Sequence, residues 1–124
     1  MKPLVLASLA GLSAAMAFSA AAQPPPQSGQ CFWIRDLRNH TVGDDHTLYF
    51  DVGGRAVYRA TTSGACLAGA TSTDPIVLRN RPATGQICNR LDLDVSVRGA
   101  RCIISELTRL TPEEAAALPR RVRP

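Results

Sequence analysis

With 124 residues the chain is shorter than an ordinary two-domain protein, so one modest core is expected. Beyond residue 22 all thirteen basic groups are arginine, against ten carboxylates, and they are dispersed from Arg35 to Arg123. Along the sequence only Arg120-Arg121-Val122-Arg123 is dense in charge, which excludes the coherent cationic stretch that nucleic-acid binding uses.

Residues 1–22 read as a secretory signal peptide. Met1-Lys2 supplies one positive charge, Leu4 to Ala22 is apolar and uncharged, and Ala20 and Ala22 form an A-x-A cleavage pattern before Gln23. Removal of that segment leaves 102 residues with no other stretch long enough to span a bilayer. The expected location is therefore periplasmic or secreted. Residues 23–30 contain Pro24-Pro25-Pro26, Ser28 and Gly29 and read as an extended, poorly ordered leader. The folded domain is expected over residues 31–118, followed by an Arg-rich tail, 119–124, that frays.

Cys31-Phe32-Trp33-Ile34 suits a short strand, and the polar segment Arg38 to Asp45 reads as a loop. Thr47 to Val52 and Arg55 to Thr61 are rich in β-formers and flank Gly53-Gly54, a hairpin pattern. A two-residue turn would set Phe50 opposite Val57 and Tyr49 opposite Tyr58. Residues 62–73 read as a loop around Cys66, Ile76-Val77-Leu78 as a strand, Asn80 to Gln86 as a loop and Ile87-Cys88 as the start of a brief strand. Leu93, Val95 and Val97 alternate with Asp92, Asp94 and Ser96, and Arg98-Gly99 turns this strand back so that Cys102 and Ile104 join the apolar face. Thr111-Pro112-Glu113-Glu114 is a capping box opening a short helix that Pro119 stops. The fold class expected is mostly β: a small disulfide-stabilised barrel or sandwich built from hairpins, with a short C-terminal helix.

Four cysteines, Cys31, Cys66, Cys88 and Cys102, lie beyond the signal segment, and none is in a C-x-x-C pair. In an exported chain this count predicts two disulfides rather than a redox or zinc motif. Three connectivities are possible; Cys31–Cys102 with Cys66–Cys88 is favoured, because Cys31 and Cys102 each open an apolar strand. His40, Asp44, Asp45 and His46 place two imidazoles and two carboxylates within seven residues, a candidate divalent-metal loop that is also ordinary turn chemistry. Trp33, Tyr49, Tyr58 and Arg59 are candidate ligand contacts, with core packing as the competing role. No serine lies in a G-x-S-x-G context, and the carboxylates of Asp92 and Asp94 fall on the wet side of a strand, so neither nucleophilic nor acid–base catalysis is signalled.

The order of motifs from Cys31 through Val42-Gly43-Asp44-Asp45, Thr47-Leu48-Tyr49-Phe50, Cys66-Leu67 and Gly85-Gln86-Ile87-Cys88 to Arg101-Cys102-Ile103-Ile104 resembles a family of small exported proteobacterial proteins catalogued only as a domain of unknown function. The resemblance spans about residues 31–112. It implies an exported, cysteine-paired fold and carries no activity, cofactor or site. The expectation is a non-enzymatic binding or envelope-interaction module, needing no cofactor, whose partner is an envelope protein or a small ligand. A metal- or anion-binding module and a small hydrolase are the alternatives.

Overall fold

The computed structural model describes residues 31–81 and 83–124; the signal segment and leader expected from the sequence lie outside them. The chain runs through β1 (Phe32–Trp33), a 3-10 turn (Ile34–Asp36), β2 (Leu37–Asp44), β3 (Thr47–Val52), β4 (Ala56–Ser63), β5 (Ile76–Asn80), β6 (Gln86–Ile87), a 3-10 turn (Arg90–Asp92), β7 (Leu93–Val97) and β8 (Ala100–Arg109). Helix α1 (Pro112–Ala117) and a last 3-10 turn (Arg120–Val122) follow.

Six strands form one antiparallel sheet in the order β2-β3-β4-β8-β7-β5, and β1 pairs with β6 in a separate two-stranded ribbon. The large sheet curls into a half-barrel. Register shifts in β2, and between Thr61 and Thr62 of β4, supply the bending that curling needs. Its two edges approach each other at the segment leading into β5. There the Val42 N–H donates to Ser72 Oγ at 2.9 Å, and His40 Nε2 lies 3.2 Å from the Asp74 carbonyl. The concave side carries Leu48, Phe50, Val52, Tyr58, Ala60, Leu93, Val95, Val97, Cys102 and Ile104, with Phe32 and Ile87 of the ribbon laid over it. Each such large apolar side chain contributes about 1.5–3 kcal/mol by leaving water.

The first hairpin differs from the two-residue expectation. Val52 pairs with Ala56, so Gly53, Gly54 and Arg55 form a three-residue loop, and Phe50 lies opposite Tyr58. Both glycines have positive φ, +63° and +69°. The reason is the charge pattern of β4. A two-residue turn would have set Arg59 opposite Leu48, facing the core, where an unpaired guanidinium is costly to bury. One extra residue moves the strand by one register and brings Ala56, Tyr58 and Ala60 inward instead. The second hairpin turns at Arg98-Gly99 as its pattern predicts, with Val97 opposite Ala100.

Residues 38–45, expected as a loop, form most of strand β2. Their pattern is weak because β2 is an edge strand with little of its surface in the core; only Thr41 is fully buried. The tail, expected to fray, is docked. Val122 is buried, its carbonyl accepts from Thr41 Oγ1, and the Arg123 guanidinium caps the Ala116 and Leu118 carbonyls at 2.8 and 2.9 Å.

Both disulfides form, but with a different pairing from the favoured one. Cys31 bonds Cys88 and Cys66 bonds Cys102. The β1–β6 register explains the first bond. Phe32 opposes Ile87, so the residues flanking that pair, Cys31 and Cys88, stand with Cα atoms 4.1 Å apart. Cys102 points into the core, as its strand pattern predicts, and meets the loop that buries Leu67 beside Cys66.

Candidate ligand-binding cleft

The candidate metal residues are drawn into local backbone hydrogen bonds. His46 N–H donates to Asp44 Oδ1 at 2.8 Å, and His46 Nδ1 lies 3.0 Å from the Gly64 carbonyl. That backbone N–H holds the Asp44 carboxyl below its usual range. Asp45 offers its carbonyl to the Leu67 N–H at 3.3 Å, and its exposed side chain lies outside any ligand cluster. With His40 turned to the Asp74 carbonyl, His40, Asp44, Asp45 and His46 do not converge. Among the described residues no three His, Cys, Asp or Glu side chains gather as a metal set.

The four ligand candidates are divided between two surfaces. Tyr49 and Arg59 lie behind α1, in a shallow hollow of about 240 Å³ that Leu110 and Glu114 help to line. The Tyr49 ring covers Gly43, where an added Cβ would come within 2.8 Å of its Cε2. Arg59 faces Glu106 at 4.0 Å.

Trp33 and Tyr58 belong to a larger feature, a cleft of about 440 Å³ between the β1 ribbon and the near end of the β3–β4 hairpin. Phe32 and Tyr58 form its inner wall, with ring centroids 4.5 Å apart and planes inclined at 53°. Burial pushes the Tyr58 hydroxyl above its usual pKa, while the nearby Arg109 charge opposes that shift. Trp33 remains 40% exposed. The Arg35 guanidinium lies over its ring, 4.8 Å from the centroid, and Gly85 is a neighbour of the same ring. Arg55, from the hairpin loop, and Arg109, from the end of β8, complete the lining, with Asp36 as its one carboxylate. Neither Arg55 nor Arg109 has an ion-pair partner among the described residues.

Sequence reasoning missed both arginines, for a topological reason. They are separated by the whole of β4 to β8, and only the β4–β8 register, which sets Arg109 opposite Tyr58, brings them together. That pairing directs Arg109 to the concave side, where Tyr58 lies. Past Arg55, Ala56 and Arg109 the cleft continues into a second hollow of about 370 Å³ bounded by α1 and Arg123.

Two guanidiniums without carboxylate partners, beside a half-exposed indole and a buried phenol, suit an anion that carries an apolar or planar body. The cleft lining contains no histidine, serine or free thiol; its cysteine, Cys31, is in a disulfide. The molecule is thus a disulfide-stapled β half-barrel with an aromatic, cationic cleft at one end. Comparison with protein-family models, curated proteins and solved structures finds no match for this chain.

Proposed function

We propose that this chain is exported and acts as a non-enzymatic binding module, taking a small organic anion in the Trp33–Tyr58–Arg55–Arg109 cleft. One observation carries the reading: Arg55 and Arg109, both without a carboxylate partner among the described residues, share a concave lining with a half-exposed tryptophan and a buried tyrosine. The export half of the proposal is supported by two disulfides, a bond type that persists in oxidising compartments. Among the described residues no helix is long and apolar enough to cross a membrane.

Trp33 is the chain's single tryptophan, so its fluorescence reports directly on the cleft. Titration with 1-naphthoate is expected to change the Trp33 emission saturably, and the neutral 1-naphthamide to bind about tenfold more weakly, the loss of one charge-assisted contact. Arg55→Gln with Arg109→Gln should abolish that preference while leaving the melting temperature nearly unchanged, since both side chains are exposed. Equal affinity for the two probes in the native protein would refute the anion site.

A further inference from the structure

A second surface, on the opposite side of the sheet, has its own composition. The large apolar side chains that stand exposed among the described residues are Trp33, Val77, Leu91 and Ile103. Three of the four lie on the convex face of β5, β7 and β8 or at its rim. Ile103 follows Cys102 and precedes Ile104 on β8; as both neighbours are taken into the core or its bend, Ile103 is left outside, 63% exposed. Leu91, in the 3-10 turn before β7, is 67% exposed and lines the same shallow hollow as Ile103. Val77 is 50% exposed on β5, where Ile76 and Leu78 pack inward.

Four arginines surround these side chains. Arg81 and Arg101 both reach Asp94, at 3.1 and 2.9 Å. Arg90 Nη1 lies 3.4 Å from the Ile104 carbonyl, and Arg79 is the register partner of Asp94 on the next strand. Among the described residues Asp94 is the one carboxylate lining this hollow, and Glu106, farther along the same face of β8, faces Arg59 at 4.0 Å. Asp92, at the rim, turns its carboxylate to the Cys88 and Asn89 N–H groups at 2.8 and 3.0 Å. Four guanidiniums thus lie around a projecting aliphatic cluster whose hollow holds one carboxylate, Asp94.

We infer that this convex face docks on an anionic bilayer surface, with Ile103 and Leu91 entering the acyl boundary and the arginines taking lipid phosphates. Charge and shape select this occupant. A second copy would set four arginines against four. A folded peptide ligand needs a groove, and the hollow here is only about 100 Å³. A flat sheet of phosphates instead meets an outward-curved cationic rim, and planar guanidiniums bind phosphate oxygens in pairs. Aliphatic projections inside such a rim then exchange water for lipid.

The test is sedimentation of the full domain with phosphatidylcholine vesicles and with vesicles of equal parts phosphatidylcholine and phosphatidylglycerol. Binding is expected to the mixed vesicles alone and to weaken as salt is raised. Leu91→Ser with Ile103→Ser should weaken it about tenfold. Arg79→Gln with Arg90→Gln leaves the Asp94 bridges intact and should flatten the salt dependence. Unchanged melting temperatures show that both variants remain folded. Equal binding to the two vesicle types, or native binding by the Leu91/Ile103 variant, overturns the proposal. So does retention on immobilised polyglutamate without vesicle binding, which would assign the face to an acidic protein.

Discussion

The β3–β4 hairpin and the β1–β6 ribbon are both antiparallel pairs, yet they are held by different means. The hairpin has six residue pairs in continuous register and contributes Leu48, Phe50, Val52, Tyr58 and Ala60 to the core. No cysteine lies within it. The ribbon has two residue pairs, Phe32 with Ile87 and Trp33 with Gln86, between segments far apart in the chain. Such a short ladder does not stand alone, and the Cys31–Cys88 bond fixes its end. The second bond likewise joins the loop around Cys66, which has little ladder of its own, to β8. Each sulfur bridge therefore ties down a segment with little ladder of its own, the β1 ribbon or the Cys66 loop. The cleft takes one wall from each kind of region, Tyr58 and Arg55 from the packed hairpin and Phe32 and Trp33 from the stapled ribbon.

The comparison breaks most sharply at Phe50, which is 1% exposed at the centre of the hairpin. Phe50→Ala should cost about 3–5 kcal/mol in urea unfolding, because the emptied volume lies among strands that cannot collapse onto it. A loss below about 1 kcal/mol would show that the hairpin is not the packed half.

Next comes Cys31→Ala with Cys88→Ala. These cysteines are exposed, so the effect acts mainly by releasing the unfolded chain, and a loss of about 2–4 kcal/mol is expected. Amide exchange should quicken at Phe32 and Ile87 well before it does in β3 and β4. Uniform acceleration across both regions would merge them into one cooperative unit. The Trp33 response to 1-naphthoate should weaken in the same variant, since one wall of the cleft is loosened.

The smallest effect concerns acid. Burial would raise the Asp94 carboxyl, but the hydrogen bond from Arg81 and the charges of Arg101 and Arg81 outweigh it and hold the group below its ordinary 3.8. A carboxyl lowered on folding contributes stability above its unfolded value, and that contribution is lost as pH falls through the lower folded value. Stability measured from pH 5 downward should therefore decline in the native protein, and Asp94→Asn should show a shallower decline. Asp44 and Asp74 are lowered too, by the backbone N–H groups of His46 and Thr71, and leave a residual slope in the variant. Identical slopes in the two proteins would remove Asp94 from the account.

Local chemistry was legible wherever one residue pattern admitted one structure. The alternation of Leu93, Val95 and Val97 and the Arg98-Gly99 turn needed no partner to be read, nor did the Thr111–Glu114 capping box, whose reciprocal bonds form at 2.8 and 3.1 Å. Strand β2 was not legible, because an edge strand is specified by the edge it completes. His40 and Asp44 looked like a loop cluster for that reason; once residues 37–44 are extended, their side chains are spaced along a strand and meet carbonyls and N–H groups. The dispersed arginines are the clearest case. Arg79, Arg81, Arg90 and Arg101 form no cluster in the chain and become one on the sheet.

The sequence by itself determined the β class, the second hairpin, the capped helix and the inward Cys102, since each rests on contacts between neighbours a few residues apart. The tertiary structure decided the disulfide pairing, the three-residue turn that keeps Arg59 out of the core, and the meeting of Arg55 with Arg109. Those depend on which strands lie side by side, and strand order is set by the shared burial of distant apolar faces, which no local pattern encodes.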